Sequence, residues 1–160
     1  MAEFTETKGK LEAFQIKEME SFAGLTFPEQ YKEHLLNFNG GRCKPDVFWF
    51  VENGNKTASA IGWFFAIYDG KYNNLRDCIE IYKRSVKRMP SYVLPFASDV
   101  VGNAICISCG KDDFGKIYFW DHEREVDYKT SDDSDYSNLY FIANSFNEFL
   151  ENLTSGEDVV

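Results

Sequence analysis

The carboxylates that lack a balancing number of basic residues lie in the last third of the 160-residue chain. Residues 1–98 hold 13 Lys or Arg and 12 Asp or Glu, whereas residues 99–160 hold 4 and 14. A negative surface attracts basic molecules over about a Debye length, ~8 Å at physiological salt. The carboxylates that we expect to form such a surface are Asp112, Asp113, Asp121, Glu123, Glu125, Asp127, Asp132, Asp133 and Asp135.

Three short motifs in the same region are similar to metal or redox sites, but each has a simpler interpretation. Cys106-Ile107-Ser108-Cys109 matches C-x-x-C, yet residues three apart on a strand point to opposite faces, so we expect Cys106 or Cys109 to be a small core residue. The residues of Asp121-His122-Glu123 are adjacent and rarely converge on one ion, which favours a solvated strand end. Residues 132–135 lack the central glycine and terminal glutamate of a calcium loop, which favours a flexible acidic loop.

Catalytic constellations are equally weak. The chain has two histidines, and His34 is expected on the polar side of its helix, at the surface. No phosphate-binding glycine spacing and no nucleophile elbow is present. An undiscovered enzyme would need converging carboxylates such as Asp99 and Asp121 in a pocket. The sequence therefore predicts no catalytic residue, no metal site and no cofactor.

Composition limits the class of protein. A hydrophobic share of 44% and an aromatic share of 17% provide enough apolar area for a packed core, so we expect one domain over residues 1–160. Trp49, Trp63 and Trp120 should be core or half-buried residues, and at least one could border a recognition surface. A net charge of −9 argues against direct binding to nucleic acid or to anionic lipid.

The N-terminus and the cysteines bear on location. The first eight residues are polar and acidic, unlike a secretory signal, and the longest apolar run, residues 63–67, is too short to cross a bilayer. We therefore expect a cytoplasmic protein whose four cysteines are reduced thiols.

The hydrophobic pattern predicts an α+β protein with helices at both ends of a group of strands. Thr26 and Glu29 match a capping box, as do Ser145 and Glu148, and Asn73 or Asn74 is expected to cap the third helix. The predicted helices cover about 11–22, 29–38, 75–88 and 146–153, and the strands about 47–51, 58–68, 93–96, 103–108, 116–120 and 139–142. Asn53-Gly54 predicts a hairpin between the first two strands.

The third predicted helix is locally basic. Its cations are Arg76, Lys83, Arg84, Lys87 and Arg88. Two arrangements would complement the acidic region with these charges: a contact within the fold, or a contact across a dimer. The sequence leaves the oligomeric state open.

An ordered set of short motifs gives the chain a family resemblance. The motifs are Phe27-Pro28-Glu29-Gln30-Tyr31, Leu35-Leu36, Asn39-Gly40-Gly41, Leu94-Pro95-Phe96-Ala97 with Asp99, Gly102-Asn103, Ile105-Cys106, residues 115–123, and Ser145-Phe146 with Phe149-Leu150. With this order and spacing over about residues 20–153, the chain resembles the SUKH superfamily of Smi/Knr-type domains. One departure is Val101, where many members have a second glycine, which bears on the geometry of that turn.

The resemblance implies a fold and a role. The implied fold is a twisted, mostly antiparallel sheet packed against N-terminal, central and C-terminal helices. Many bacterial members resemble immunity proteins that bind a cognate toxin, often a nuclease, from polymorphic or contact-dependent systems, and a nuclease offers a basic groove to an acidic inhibitor. Fungal relatives instead regulate cell-wall synthesis, so the alternative is a general protein-interaction or regulatory module. Neither role is catalytic.

Overall fold

The structure is a computed structural model that describes residues 2–158. Its strands are β1 (Glu3–Thr5), β2 (Arg42–Lys44), β3 (Val47–Glu52), β4 (Asn55–Phe64), β5 (Val93–Asp99), β6 (Ala104–Ser108), β7 (Ile117–Trp120) and β8 (Leu139–Ala143). Strands β3 to β8 form one antiparallel sheet in sequence order, and β1 pairs with β2 in a small separate sheet. Each strand of the large sheet thus pairs with the next one along the chain.

Four helices accompany the strands: α1 (Ala13–Ala23), α2 (Glu29–Asn37), α3 (Leu75–Ile79) and α4 (Phe146–Glu151). A π-helical turn over Glu80–Arg84 continues α3, and short 3-10 turns occupy His122–Arg124 and Gly156–Asp158. This architecture confirms the predicted α+β class and its antiparallel sheet. None of the helices within residues 2–158 has the length and apolar character needed to span a membrane.

The central strands β5, β6 and β7 are buried on both faces of the large sheet, which explains their continuous apolar sequences. In β6, Ile105 and Ile107 point to a core shared with the helices, where Phe96, Phe146 and Phe149 pack. The alternate residues of the same strand face the other side of the sheet because side chains alternate along a strand. All five residues of β6 are buried.

A second, smaller core covers that other face. Cys106, Tyr118 and Trp120 pack there with Met89 and Leu139. The half-buried rings of Tyr82, Tyr92 and Tyr136 complete this core from the segments that follow α3 and β7. The sheet therefore depends on a long connection, residues 121–138, to shield its second face.

The sheet also curls, so that its first and last strands approach each other. The ring of Phe50 in β3 stacks on Phe119 in β7 with centroids 4.3 Å apart, and it lies 5.9 Å from the ring of Tyr140 in β8. Stacked aromatic pairs contribute about 0.5–1.5 kcal/mol beyond their buried area. At the free edge of β3, Val47 exchanges two backbone hydrogen bonds with Thr154, which ties down the C-terminal segment.

The start of α2 differs from the prediction. Its N-cap is Pro28, with no side-chain cap, and Thr26 lies two residues too early to reach the free amides. The carboxylate of Glu20 on α1 instead accepts a hydrogen bond from the Phe27 N–H at 2.7 Å. This tertiary contact holds the residue before the N-cap, and the predicted capping box does not form. At α4, by contrast, the Ser145 hydroxyl accepts from the Glu148 N–H as predicted.

The third helix is shorter than predicted. Its cap is confirmed, because the Asn74 side chain accepts hydrogen bonds from the N–H groups of Arg76 and Asp77. A wide turn follows, in which the Ser85 N–H bonds to the Glu80 carbonyl oxygen. This extra residue per turn rotates the face of the helix, so Val86 is exposed rather than buried.

Candidate functional site

Most of the predicted acidic surface lies on the connection between β7 and β8, here called the acidic loop (residues 121–138). It begins at Asp121, which is buried and whose carboxylate accepts a hydrogen bond from the Glu123 N–H at 2.9 Å. That bond caps the 3-10 turn over His122–Arg124. Asp121 therefore shapes the loop and is removed from the surface that a partner could reach.

Two ion pairs attach the acidic loop to the basic segment (residues 83–88) that follows α3. Lys87 Nζ lies 2.5 Å from Asp133 Oδ1, and the Arg88 guanidinium makes two parallel bonds of 2.9 and 2.8 Å to the Glu125 carboxylate. The Ser91 N–H also donates to Asp133 at 2.9 Å. The predicted charge complement thus forms within the fold.

These contacts determine the protonation of the charged groups that join the acidic loop to the basic segment. Partial burial by itself would raise the pKa of Asp133, but hydrogen bonds from Lys87 and Ser91 outweigh it and lower that pKa below its usual value. The hydrogen bond to Glu125 likewise raises the pKa of Arg88. Asp133 and Arg88 are therefore charged near neutral pH.

Lys83 has a different role from its basic neighbours. Its ammonium donates to the carbonyl oxygens of Pro90, Ser91 and Val93 at 2.5–3.0 Å. Burial lowers its pKa to about 8. Lys83 thus holds the chain between the basic segment and β5, and it does not neutralise the acidic loop directly.

Asp113, in the turn between β6 and β7, anchors the C-terminal end of the acidic loop. Its Oδ2 accepts hydrogen bonds of 2.8 Å from the hydroxyls of Tyr118 and Tyr136, and its Oδ1 accepts from Ser108. Burial, helped by the nearby carboxylate, raises the pKa of both tyrosines, so they stay protonated and donate. Asp113 therefore links the turn, β7 and the loop.

The acidic loop is also ordered by its own side chains. Asp132 accepts hydrogen bonds from the hydroxyl and N–H of Ser134, and Asp135 accepts from Ser137 and from the Ser131 hydroxyl. These bonds lower the pKa of both carboxyls. The loop thus presents ionised carboxylates in fixed turns rather than on a mobile tether.

Four of the predicted carboxylates are left exposed and, within residues 2–158, lie beyond 4.0 Å of any cationic side chain. We call these four the acidic face: Asp112, Glu123, Asp127 and Asp132. The other five form internal contacts: Asp113, Asp121, Glu125, Asp133 and Asp135. Sequence alone could not separate the two groups because both consist of acids in polar segments.

The cysteine motif has the structural role that was predicted. Cys106 is fully buried in the second core, whereas Cys109 packs against the first, on the opposite face of the sheet. All four cysteines are free thiols. Burial raises the pKa of Cys109 to about 12 and that of Cys106 further, so neither thiol is activated.

Asp99 is committed to a turn rather than to a pocket shared with Asp121. Its carboxylate accepts from the N–H groups of Val101 and Asn103, from the Asn103 amide at 2.9 Å and from the Ser59 hydroxyl at 2.9 Å. Val101 lacks a positive φ, and Gly102 alone is left-handed, with a φ of 94°. The turn therefore forms without a second glycine.

Asn103 is a residue that sequence reasoning missed. Its Oδ1 accepts a hydrogen bond from the His122 N–H at 3.0 Å and lies 2.5 Å from His122 Nδ1. Asp99, Asn103 and His122 thus connect the β5–β6 turn to the start of the acidic loop. The Gly102-Asn103 motif was the sequence feature that could have indicated this role of Asn103.

The prediction for His34 is wrong. The imidazole is buried, with Phe4 and Phe146 ring centroids 4.8 Å away. It is covered by β1, a strand that the polar N-terminal sequence did not predict. Burial lowers the pKa of His34 to about 4, and its Nε2 has no hydrogen-bond partner. Within residues 2–158 no three His, Cys, Asp or Glu side chains converge as a metal site would require.

Comparisons with known proteins agree with this fold. The family model described as SMI1 / KNR4 family (SUKH-1) matches residues 11–152. The chain is also similar to an SPbeta prophage-derived uncharacterized protein, YokK, of Bacillus subtilis (strain 168). The two are 30% identical over 173 residues, which cover 96% of this chain and 82% of the relative. The chain therefore belongs to the SMI1/KNR4 (SUKH-1) family.

Proposed function

We propose that this protein is a non-catalytic, cytoplasmic immunity protein that binds and neutralises a cognate polymorphic or contact-dependent toxin. The observation that carries the proposal is the acidic face, four exposed carboxylates that have no ion-pair partner among residues 2–158. Its partner is a basic toxin domain, and a nuclease with a cationic groove fits this description. Family membership is consistent with this role, because the resemblance implies immunity proteins among the bacterial members.

The order of the loop supports a binding role in energetic terms. Fixing a side chain on association costs about 0.5–1.5 kcal/mol. The hydrogen bonds of Asp132 to Ser134 and the two ion pairs to the basic segment restrict the loop before a partner arrives. The negative field of the acidic face then accelerates encounter with a cationic surface.

The nine predicted carboxylates have two different tasks in this proposal. Those of the acidic face contact the toxin, and the other five keep the acidic loop in place. Asp132 also orders its own turn through Ser134. Aromatic side chains contribute more binding energy at interfaces than rim charges do. We therefore expect the acidic face to control the rate of association more than the final affinity.

Co-expression tests the function itself. The protein is produced together with the C-terminal domain encoded by the neighbouring reading frame, and growth and complex formation are scored. Rescue of growth with a stable complex is expected. Failure of both, with the two proteins soluble and expressed, would contradict the immunity role and favour a general interaction module.

Charge reversal tests the acidic face. The variant carries Asp112→Lys, Glu123→Lys, Asp127→Lys and Asp132→Lys. The matched control reverses four exposed carboxylates outside the acidic face and the acidic loop: Glu18, Glu33, Asp69 and Asp77. The first variant should associate at least about tenfold more slowly at low salt, and the control much less so. An association rate that responds neither to salt nor to the first variant would refute the acidic face.

A further inference from the structure

The Asn39-Gly40-Gly41 motif plays no part in the acidic face, but it builds a separate pocket. The Asn39 amide donates to the carbonyl oxygens of Gly9 and Ile67 at 2.9 and 2.8 Å, and its Oδ1 accepts from the Ile67 N–H. Gly41 has a φ of 91°, and a Cβ there would lie 2.4 Å from the Thr5 carbonyl oxygen. The motif therefore brings the N-terminal segment against the chain that follows β4.

The resulting cavity, here called the aromatic pocket, has a volume of about 360 Å³. Its main side chains are Glu6, Lys8, Trp63, Tyr68, Tyr72 and Asn73. None of them belongs to the acidic face. The volume lies within the range of small binding sites.

The backbone around this pocket is unusual. Glu6 and Asn73 have φ values of 56° and 52°, and Gly41 on the same wall is also left-handed. Asparagine accepts this conformation readily, whereas for glutamate it costs about 1 kcal/mol or more. Strained backbone of this kind is concentrated at functional sites in proteins.

Three aromatic rings of the pocket, those of Trp63, Tyr68 and Tyr72, each lie close to a cation. Lys8 Nζ lies 4.7 Å from the Tyr68 centroid, the Arg42 guanidinium 5.2 Å from that of Trp63, and Lys71 Nζ 5.5 Å from that of Tyr72. In the described part of the chain, none of these cations lies within 4.0 Å of a carboxylate. Glu6 contributes one negative charge against three positive ones. A chain of net charge −9 thus presents a cationic aromatic site.

We propose that the aromatic pocket binds carboxylate side chains of an acidic protein segment. Within residues 2–158 the three cations have no carboxylate within 4.0 Å, so they can pair with those of a partner. Trp, Tyr and Arg are also the residue types most enriched among the residues that contribute most of the binding energy at interfaces. The ring faces carry cations already, so they are poorly available for stacking bases. The overall negative charge opposes the closely spaced phosphates of a nucleic acid. This site is independent of the acidic face and does not require its partner to be a toxin.

Nuclear magnetic resonance of the ¹⁵N-labelled protein can test the site directly. The probe is an acetylated, amidated Glu-Glu-Leu-Glu-Glu peptide, compared with the corresponding lysine peptide and with an oligothymidylate of equal negative charge. The glutamate peptide should shift the Trp63 indole and the amides of Gly41 and Asn73. The lysine peptide should leave them unchanged, and the oligothymidylate should bind more weakly.

Two triple variants separate the pocket from global charge. One carries Lys8→Gln, Arg42→Gln and Lys71→Gln, and the control carries Lys17→Gln, Lys111→Gln and Lys129→Gln. All six side chains are exposed, so both variants should keep the spectrum of the fold. The first should bind the glutamate peptide about tenfold more weakly than the control. The proposal is overturned if the two variants bind equally, if no pocket resonance shifts at millimolar peptide, or if the oligothymidylate binds as tightly.

Discussion

Acidification should destabilise the protein through His34. This imidazole is 8% exposed, lies among Phe4, Phe64 and Phe146, and has an unpaired Nε2. Burial lowers its pKa from 6.5 to about 4. In the unfolded chain the same group has an ordinary pKa, so between these two values the unfolded state binds more protons than the folded state.

The direction and the size of the pH effect on the free energy of unfolding follow from that difference in bound protons. The stability linked to neutral His34 is complete above pH 6.5 and is lost as the pH falls towards 4. From a pKa of about 4 in the folded state, the loss should reach about 2 kcal/mol at pH 5 and about 3 kcal/mol at pH 4. Against a typical stability of about 5–15 kcal/mol, this is a large fraction.

Urea unfolding of the wild type and of His34→Phe at pH 7, 6, 5 and 4 measures the effect, because the other titrating groups are common to both proteins. The variant should lose about 2 kcal/mol less than the wild type between pH 7 and pH 5. At pH 7 it should be as stable or more stable, since an unpaired buried nitrogen is removed. His34→Leu is measured as a second variant, because the phenylalanine ring is larger than imidazole and can pack poorly at this position. Parallel pH profiles for the wild type and both variants would refute a buried, neutral His34.

Three further outcomes test the structure. Asp133→Asn should lower the free energy of unfolding by about 1–2 kcal/mol in urea denaturation, because it weakens the contacts of the acidic loop with Lys87 and Ser91. The replacement Asp132→Asn, at an exposed position, should change the free energy of unfolding less. Gly41→Ala should cost about 1–3 kcal/mol in the same assay and more than Gly54→Ala, since both positions are left-handed but only Gly41 would contact another backbone segment. The four thiols should resist iodoacetamide at pH 8 in the folded protein and react in urea, as mass spectrometry can determine, because burial raises the pKa of each.

Much of the fold was predictable because local signals agreed with the tertiary structure. The Asn53-Gly54 hairpin, the Asn74 cap and the Ser145 cap all form as their short-range chemistry requires. The failures occur where a distant group intervenes. Glu20 holds the residue before the N-cap of α2, where the predicted capping box does not form, and β1 forms only because β2 offers it a partner. Neither contact can be predicted from the residues that are adjacent in the sequence.

The contact between the acidic and the basic regions was predictable in location but not in detail. The charge asymmetry identified the acidic loop and the basic segment, and the structure joins them as one of the two predicted arrangements. Which carboxylates remain exposed depends on tyrosine and serine hydroxyls far apart in sequence, such as Tyr136 reaching Asp113. His34 was misjudged because its polar sequence neighbours do not show that β1 covers its helix.

The division of the carboxylates makes stability and association separable. Asp113, Glu125 and Asp133 contact the turns and the basic segment, so replacing them should unfold the acidic loop and lower stability. Asp127 and Asp132 of the acidic face accept hydrogen bonds from their neighbours Lys129 and Ser134 within the loop, so reversal of the acidic face should lower the unfolding midpoint less than those replacements while slowing association. The number of acidic residues in the sequence is therefore a poor measure of the negative charge that is exposed to a partner. If the two sets of variants affected both quantities equally, the loop would have no internal scaffold, and the distinction between holding and contacting carboxylates would be wrong.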